Sequence, residues 1–379
     1  MLRVLVDATA VPPDRSGVGR YVDMLLPALG RAGLDVRVAC RPGDAARYGA
    51  MGAGVQPAPA PGLTARAATR LAWEQIGLPR LAAALQPDVV HAPHYTHAVA
   101  LRTPLVVTLH DATFFTDPGV HRSAKGPVFR AATRLALRRA ACCVVPSHAT
   151  ASELVRVAGA DPAKLVVAHH GVDTSTFSPP PPAAVDAARQ ALGLAPGERW
   201  VAFLGTLEPR KNLPALVRGW AQTCAGRPDP PALVLAGHNG WERELAAAAA
   251  SLPPQLTLVQ PGYLPLELLA GYLGGAEVVA YPSLGEGFGL PVLEAMACGA
   301  PVLTTRRLAL PEVGGDAVAY TEPDAASIGA DLGALLDDPG RRARLSEAGR
   351  CRAAGLTWDA CAAVHLTAYE RAVRQGPRR

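Results

Sequence analysis

Short apolar runs alternate with helical patterns along the whole 379-residue chain, and this alternation constrains the fold more than any other feature. In the first half, strands are predicted at residues 3–7, 35–39, 88–92, 105–109, 142–145 and 165–168. In the second half, strands are predicted at residues 200–205, 232–236, 256–259, 278–281 and 302–304. Strands that are apolar on both faces are typical of parallel sheets covered by helices, so the pattern predicts an α/β architecture.

Four consecutive prolines, Pro179 to Pro182, interrupt the alternation near the middle of the chain. Because prolines fix φ and lack an N–H donor, this segment cannot continue a strand or a helix. We interpret it as a stiff connector between two Rossmann-like domains, residues 1–178 and 179–357. A last helix within residues 358–379 is expected to cross back onto the first domain. The deep cleft between two such domains is the expected ligand site.

The composition argues against several classes of protein. No uninterrupted apolar run reaches the roughly 18–20 residues that cross a bilayer, and the first residues lack the layout of a signal peptide. Seven cysteines without CxxC spacing predict neither a zinc site nor a disulfide framework, so a reducing cytoplasm is expected. The net charge of +5 is spread along the chain and aromatic residues make up 5% of it, which does not indicate a nucleic-acid binder. An acidic small molecule or an anionic membrane surface suits this mild positive charge equally well.

The stretch SLGEGFGLPVLEAMACGAPV, residues 283–302, contains two acids eight positions apart, Glu286 and Glu294. Pro291 suits the start of a helix, so the glycine-rich turn before it is expected to present backbone N–H groups to an anion. These are the N–H groups of Gly289, Leu290, Val292 and Leu293. Two carboxylates that bracket a phosphate are badly placed for joint attack on one glycosidic bond. They are suited to bind hydroxyls at the two ends of a nucleotide sugar, although a solvated surface turn would have a similar composition.

The segment Gly205-Thr206-Leu207-Glu208-Pro209-Arg210-Lys211-Asn212 places two adjacent cations in a strand-to-helix loop. No metal-binding cluster is apparent in the sequence, so Arg210 and Lys211 are the candidates for neutralising a departing diphosphate. Hydrogen bonds to charged groups contribute about 1.5–3 kcal/mol each, against roughly 0.3–1 kcal/mol from a helix dipole. The cations are therefore expected to stabilise the diphosphate more than the helix dipole does, unless the segment is only a solvated basic loop.

Two segments of the first domain follow predicted strands. Ser16-Gly17-Val18-Gly19-Arg20-Tyr21 can bring N–H groups to a phosphate or a sugar, but Val22 replaces the third glycine of a dinucleotide fingerprint. His110 lies at the end of another strand, where ligand-binding residues of parallel sheets are found. Three further histidines, His91, His94 and His97, fit no metal-coordination spacing and are interpreted as lining the cleft.

A basic stripe recurs every four residues on the helix predicted at 127–140. It consists of Arg130, Arg134 and Arg138. The stripe is either a solvated face or a surface that contacts anionic lipid or a lipid-linked acceptor.

The string Glu286-Gly287-Phe288-Gly289-Leu290-Pro291, followed by Glu294-Ala295-Met296-Ala297 and Gly299-Ala300-Pro301-Val302, resembles the signature of family-4 retaining glycosyltransferases. These enzymes have the GT-B fold, in which two Rossmann-like domains face each other across a deep cleft. The resemblance covers nearly the whole chain. It implies that Glu286 contacts the donor sugar and Glu294 the nucleotide ribose, while Gly287, Phe288, Gly289 and Leu290 hold sugar hydroxyls and the diphosphate.

The same resemblance assigns roles to the other segments. His110 matches the histidine beside the donor sugar, and Gly17 and Gly19 belong to the loop that approaches the donor phosphates. The pattern G-T-L-E-P-R-K-N resembles a subgroup often attached to mannosyltransferases, in which Thr206 stands at the usual arginine position and Lys211 keeps its role. Contacts to the nucleotide base are expected from the loop that contains Tyr263 and Leu264, mainly through backbone groups.

The resemblance implies a retaining transfer of a hexose from a nucleotide sugar to a hydroxyl of a glycan, glycolipid or small molecule. Mannose from GDP-mannose is the first expectation, with UDP-hexoses close behind, and neither a cofactor nor a metal is expected. A cytoplasmic enzyme is predicted, with peripheral contact at the inner membrane face left open. A nucleotide-sugar epimerase and a non-catalytic nucleotide-sugar-binding protein are the alternatives. A phosphorylase is less favoured because no lysine is clearly placed for pyridoxal phosphate.

Overall fold

A computed structural model describes residues 1–11, 15, 17–116 and 126–376. The chain divides into two compact units. The first contains Met1–Gly171 together with the C-terminal helix Trp358–Gln375, and the second contains Val172–Leu356. Each unit has its own parallel sheet, which confirms the predicted α/β architecture with two Rossmann-like domains.

The sheet of the first unit has the order β3-β2-β1-β4-β5-β6-β7, and its strands pair in parallel. The strands are β1 (Arg3–Asp7), β2 (Asp35–Cys40), β3 (Val55–Pro59), β4 (Val89–Ala92), β5 (Leu105–Thr108), β6 (Cys142–Val145) and β7 (Leu165–Val167). The helices before the domain boundary are α1 (Val18–Arg31), α2 (Ala45–Gly49), α3 (Ala67–Leu85), α4 (Thr113–Thr116), α5 (Gly126–Arg139) and α6 (His148–Ala158).

The sheet of the second unit has the order β10-β9-β8-β11-β12-β13 and is also parallel. Its strands are β8 (Trp200–Leu204), β9 (Ala232–Ala236), β10 (Leu258–Gly262), β11 (Val278–Tyr281), β12 (Val302–Thr305) and β13 (Ala319–Thr321). Its helices are α7 (Pro182–Ala191), α8 (Leu213–Cys224), α9 (Leu245–Ala250), α10 (Leu266–Gly274), α11 (Leu290–Ala297), α12 (Leu310–Gly314), α13 (Ala325–Asp337) and α14 (Pro339–Ala354).

The order of strands reverses once in each sheet, between β1 and β4 in the first unit and between β8 and β11 in the second. At such a reversal the helices that follow the two strands lie on opposite faces of the sheet. This leaves a crevice at the carboxyl ends of the strands, where open α/β sheets bind ligands. The topology therefore predicts that ligands bind at the loops after β8 and β11 and at those after β1 and β4.

Two strands of the structure, β3 and β13, were not predicted from the sequence, and both are edge strands. The strand β3 has the sequence V-Q-P-A-P, and prolines are tolerated there because an edge strand leaves some N–H positions without a partner strand. The strand β13 has only three residues. Neither has the continuous apolar run that marks the central strands.

The predicted domain boundary and the predicted connector both need correction. The first unit ends at Gly171, so residues 172–178 belong to the second unit, where Phe177 is buried in the core. The proline run also lies inside the second unit, and Pro182 begins α7. Proline suits this position because the first N–H groups of a helix have no intrahelical acceptor. The prolines therefore start a helix of the second unit and do not link the two units.

The C-terminal helix belongs to the first unit, and its buried side chains include Trp358, His365 and Tyr369. The last three residues of the segment predicted at 358–379 lie outside the described residues. Among the described residues, no helix combines the length and the hydrophobicity that a membrane span would require.

Candidate active site

Two loops of the second unit meet at the carboxyl ends of β8 and β11. The first, residues 205–212, contains the short 3₁₀ turn Pro209–Lys211, and the second follows Tyr281. Backbone and side-chain hydrogen bonds join them: the Leu284 N–H donates to the carbonyl of Arg210 at 2.8 Å, and Arg210 Nη1 donates to the carbonyl of Gly285 at 2.7 Å. The two predicted donor-site motifs are therefore brought together at the topological reversal of the sheet.

The carboxylate of Glu286 is the centre of this cluster and accepts hydrogen bonds from four donor groups. Lys211 Nζ and Ser283 Oγ each lie 2.6 Å from Oε1, and the Tyr281 hydroxyl donates to the same oxygen at 3.0 Å. Arg210 donates to Oε2. Glu286 is only 7% exposed. A carboxylate that accepts from two cations and two hydroxyls is a weak proton acceptor, which favours sugar binding over the acid/base interpretation of this residue.

The electrostatics of the cluster keep Glu286 ionised. Burial alone raises the pKa of a carboxyl, but the Arg210 guanidinium and the Lys211 ammonium outweigh it and lower the pKa of Glu286 to about 2. Burial also lowers the pKa of Lys211, and the neighbouring charge of Arg210 lowers it further, while Glu286 and Glu208 act in the opposite direction. The buried ammonium therefore depends on these carboxylates.

Arg210 connects the cluster to a second carboxylate. Its Nη2 donates to Glu208 Oε1 at 2.7 Å, while its Nη1 contacts Glu286. The four ionisable side chains therefore comprise two cations, Arg210 and Lys211, and two acids, Glu208 and Glu286, which are joined by direct ion pairs. The sequence analysis singled out the two cations and Glu286 but not Glu208.

Tyr281 is a further participant that the sequence analysis did not identify. Its hydroxyl accepts a hydrogen bond from Lys211 Nζ at 2.6 Å and donates to Glu286. Its ring stacks on Phe203, with centroids 5.5 Å apart. Burial raises the pKa of Tyr281 well above its ordinary value, so the hydroxyl keeps its proton. The strand pattern V-V-A-Y indicated a buried residue there, but it did not show that the hydroxyl would reach Lys211.

The glycine turn before α11 has a different hydrogen-bond pattern from the one predicted. Gly289 adopts φ +105° immediately before the helix, a conformation that favours glycine. The N–H groups of Val292 and Leu293 donate to the Gly289 carbonyl at 3.0 and 3.3 Å, so they are not presented to an anion as expected. The N–H groups of Gly289 and Leu290 take no part in these two bonds.

The other residues predicted in this motif are placed as follows. Glu294 lies within α11, is 2% exposed and takes no part in the hydrogen bonds to Glu286. Phe288 is buried and Leu290 is half-buried, and Gly287 is half-buried between Glu286 and Phe288. Thr206 is half-buried in the first loop, where its carbonyl accepts from the Glu208 N–H at 2.9 Å.

An aromatic pair, one exposed ring on one half-buried ring, lies at the carboxyl ends of β9 and β10. Tyr263 is 56% exposed and stacks on His238, with ring centroids 4.8 Å apart and an interplanar angle of 28°. Leu264 is buried beside it. The sequence analysis predicted Tyr263 and Leu264 but missed His238, although its position two residues after a buried strand was a signal that could have indicated it.

In the first unit, His110 follows β5 and is oriented by the backbone. Its Nε2 donates to the carbonyl of Pro93 at 2.8 Å, which leaves Nδ1 as the acceptor of a neutral ring. Burial lowers the pKa of His110, while the hydrogen bond to Pro93 and the charge of Asp111 oppose that shift. The edge of the Tyr21 ring packs against it at a centroid distance of 5.0 Å. His110 is therefore a fixed, uncharged side chain.

The glycine loop after β1 is described only in part, because Ser16 lies outside the described residues. Gly17 adopts φ +43° and begins α1 as its N-cap, where a residue with a Cβ would be strained. Gly19 is in the first turn of α1, where an added Cβ would lie 3.2 Å from Cδ of Arg15.

His91 lies in a buried hydrogen-bond chain, not on a cleft surface as predicted. Tyr369 donates to His91 Nδ1, and His91 Nε2 donates to Thr108, each at 2.8 Å. The chain continues from Thr108 to the Tyr21 hydroxyl at 2.9 Å and from Tyr21 to His365 Nε2 at 2.8 Å.

The direction of proton donation along these hydrogen bonds follows from the last member, His365. His365 Nδ1 lies 2.8 Å from the carbonyl of Cys361, which can only accept, so Nε2 of the neutral ring must accept from Tyr21. Burial lowers the pKa of His365 to about 4 and that of His91 well below its ordinary value. The chain thus joins the C-terminal helix to β4 and to β5, the strand that precedes His110.

The basic stripe of α5 is partly engaged within the first unit. Arg130 donates to the carbonyl of Phe114 at 3.0 Å, and the guanidinium of Arg134 lies 5.1 Å from the centroid of the Phe115 ring. Arg138 and Arg134 are exposed. Lipid contact by the stripe stays a prediction.

Comparison with known families assigns the chain to a class of enzymes. Residues 15–176 match the model of Glycosyltransferase Family 4, and residues 184–352 match that of Glycosyl transferases group 1. The chain therefore belongs to the family-4 glycosyltransferases and is a transferase enzyme, as its motifs predicted.

Relatives and solved structures agree with this assignment. The chain is 30% identical over 284 residues to the O-antigen chain mannosyltransferase B of Escherichia coli, covering 74% of each protein. It is 34% identical over 319 residues to the D-inositol 3-phosphate glycosyltransferase of Xylanimonas cellulosilytica, covering 77% of this chain and 74% of that protein.

Among solved structures, Anabaena Alr3699/HepE in complex with UDP-glucose aligns with a TM-score of 0.73 at 19% identity, covering 99% of both chains. WaaG, a glycosyltransferase involved in lipopolysaccharide biosynthesis, aligns with a TM-score of 0.72 at 17% identity, covering 93% of this chain and 95% of that chain. These similarities confirm the GT-B fold.

Proposed function

We propose that this glycosyltransferase moves a hexose from a nucleotide sugar to a hydroxyl group with retention of anomeric configuration. The single observation that carries the proposal is the buried cluster of Glu286, Arg210 and Lys211 at the topological reversal of the second sheet. An acid that can accept from sugar hydroxyls lies there directly beside two cations that can bind phosphate. The UDP-glucose complex of the structurally similar HepE protein gives further support.

In this mechanism the acceptor hydroxyl attacks the anomeric carbon on the face from which the diphosphate leaves. The acceptor proton passes to an oxygen of the departing diphosphate, whose charge Arg210 and Lys211 stabilise together with backbone N–H groups of the turn that includes Gly287 and Gly289. Glu286 orients the donor sugar, and Glu294 binds the ribose. His110 takes the role beside the donor sugar that the family resemblance implies, with its neutral Nδ1 as a hydrogen-bond acceptor.

We further propose that the reaction needs no divalent metal, because charged side chains can supply the leaving-group stabilisation. The test is turnover after treatment with a chelator, followed by addition of Mg²⁺ or Mn²⁺. Activity that survives chelation supports the proposal, and activity that requires added metal contradicts it.

The donor is proposed to be GDP-mannose, on the pattern G-T-L-E-P-R-K-N and the similarity to an O-antigen chain mannosyltransferase. Thermal unfolding with GDP, UDP, GDP-mannose and UDP-glucose identifies the preferred nucleotide, because a ligand that binds the folded state raises the melting temperature. Mass spectrometry of reactions with an acceptor mixture of simple sugars, inositol phosphates and glycolipids then identifies the acceptor. A chain that binds none of the nucleotides would contradict the proposal.

Two comparisons test the finer parts of this function. NMR of the purified product reports its anomeric configuration, which the retaining mechanism predicts to equal that of the donor. Incubation with the donor alone tests the epimerase alternative, since an epimerase would change the sugar without any acceptor. A protein that binds the donor without converting it under either condition would be a non-catalytic nucleotide-sugar binder.

Flotation with anionic liposomes tests the membrane alternative for α5. Binding that is lost in a double variant Arg134→Gln and Arg138→Gln supports lipid contact by an otherwise cytoplasmic enzyme. Absence of flotation supports a solvated face.

A further inference from the structure

The cations of the proposed donor site are already occupied by carboxylates of the protein. Arg210 contacts Glu286 through Nη1 and Glu208 through Nη2, and Lys211 contacts Glu286. The two positive charges are thus balanced by two negative charges. A nucleoside diphosphate would meet a neutral cluster, so its phosphates can gain a full ion pair only if one of these internal pairs opens.

The two carboxylates differ in how firmly they are held. Glu286 is buried and accepts from four donor groups, so removing a cation from it would leave a buried charge poorly compensated. Glu208 is half-buried, and within the described part of the chain its carboxylate accepts only from Arg210. The Glu208 contact is therefore the one that a ligand can replace at lower cost.

The backbone around Glu208 permits this exchange without rearrangement of the loop. Its N–H donates to the carbonyl of Thr206, and its carbonyl accepts from the N–H of Lys211, each at 2.9 Å. Rotation of the Glu208 side chain would break its bond to Nη2 of Arg210 while Nη1 stays on Glu286 and Gly285. Carboxylate and phosphate oxygens bind a guanidinium edge in the same way, so one can replace the other there.

We propose that Glu208 is a positioning residue that occupies the Nη2 edge of Arg210 in the free enzyme and yields it to a phosphate oxygen of the nucleoside diphosphate. The inference rests on the proposed function and specifies how that site controls its affinity for donor and product. After the reaction, Glu208 forms its ion pair with Arg210 again, which favours release of the product diphosphate. Glu208 thereby weakens phosphate binding and speeds turnover.

The test compares Glu208→Gln with the wild type in calorimetric titrations with GDP, UDP and inorganic pyrophosphate. The amide keeps the shape of the side chain but removes the competing charge, so the Kd for the nucleoside diphosphate that binds and for pyrophosphate should fall about tenfold, equivalent to about 1.4 kcal/mol. The matched control is Glu347→Gln, which removes one negative charge from an exposed position of α14 in the same unit, and its Kd values should equal those of the wild type.

Steady-state kinetics provide a readout that loss of structure would not mimic. The donor KM of Glu208→Gln should fall and kcat should fall with it, because the product diphosphate leaves more slowly. A variant that is merely less well folded would bind more weakly. Glu208→Asp, which withdraws the carboxylate from Arg210 but keeps the charge nearby, should show a smaller gain in affinity, and it carries the test if the glutamine variant does not fold.

The outcomes separate this inference from the function on which it rests. Tighter binding in Glu208→Gln but not in Glu347→Gln supports the exchange. Equal or weaker binding in the folded Glu208 variants overturns it and leaves the proposed function intact. If the wild type binds none of the three probes, the proposed function is overturned and the inference with it.

Discussion

Replacing Tyr281 by Phe isolates one hydroxyl of the charge cluster. The hydroxyl accepts from Lys211 at 2.6 Å and donates to Glu286 at 3.0 Å. The Phe ring would keep the stacking on Phe203 and its place under the Lys211 ammonium, which lies 5.0 Å from the ring centroid. Any effect of this substitution therefore reports on the two hydrogen bonds and not on packing.

The expected loss is about 1.5–3 kcal/mol. Each hydrogen bond to a charged group contributes about that much, but Lys211 and Glu286 also contact each other directly at 2.6 Å, so the two contributions should not add in full. If displacement of Lys211 and Glu286 costs the transition state a similar amount relative to the free folded enzyme, kcat/KM falls about ten- to hundredfold. The free energy of unfolding should fall by a similar amount, because the hydroxyl is buried.

Tyr272→Phe is the matched control in the same unit. Its hydroxyl is buried as well, but among the described residues it bonds only to backbone groups: the carbonyls of Phe203 and Val234 at 2.8 and 3.0 Å and the Phe203 N–H at 3.2 Å. It should lose stability, on the order of 1 kcal/mol per bond, without a change in kcat/KM. Urea unfolding and steady-state kinetics measure both quantities. Equal kcat/KM values for the two folded variants would refute the positioning role of Tyr281.

Three further predictions probe other parts of the molecule. Lys211→Ala should cost about 2–4 kcal/mol of transition-state stabilisation, and near-normal turnover by this variant would contradict its role at the leaving group. The exposed ring of Tyr263 can also stack on the nucleotide base, so we propose that Tyr263→Ala weakens binding of a nucleoside diphosphate by about 1–3 kcal/mol. Titration with inorganic pyrophosphate should be unaffected, and equal weakening of both would exclude a stacking role. His365 has a pKa of about 4 in the folded chain against 6.5 ordinarily, so as pH falls the unfolded chain takes up the proton first. Proton uptake by His365 in the unfolded chain should lower the free energy of unfolding by about 2 kcal/mol near pH 5 relative to pH 7. Urea unfolding of His365→Gln should show that most of this pH dependence is lost.

The fold and the loops of the site could be predicted where the relevant signal is local. Central strands such as β8 and β11 are continuous apolar runs, because helices cover both faces of the sheet. The donor loops are contiguous strings whose glycines, acids and cations appear in order. Since both strings follow central strands, topology then brings them to the same edge of the sheet.

Features that depend on distant residues could not be predicted in the same way. The His91 side chain pairs with Tyr369, 278 residues further along the chain, and nothing around His91 indicates that partner. The proline run was misassigned because a rigid segment suits both a connector and the start of a helix, and the distinction depends on tertiary packing. Glu208 was overlooked because its importance comes from the direction of the Arg210 side chain, which a sequence does not reveal.

In the proposed mechanism, an acid is needed between the two cations that bind the anionic diphosphate. Arg210 and Lys211 are adjacent in sequence, and burial together with the guanidinium charge lowers the pKa of Lys211. Glu286 opposes that shift through a 2.6 Å contact, while the same two cations keep Glu286 ionised with a pKa of about 2. Each charge therefore depends on the others. A neutral residue at 286 would destabilise the Lys211 ammonium, and it would weaken the proposed binding of both the diphosphate and the sugar. On this reasoning Glu286 contributes to phosphate binding without touching phosphate, so the effects of mutating 210, 211 and 286 should not add independently.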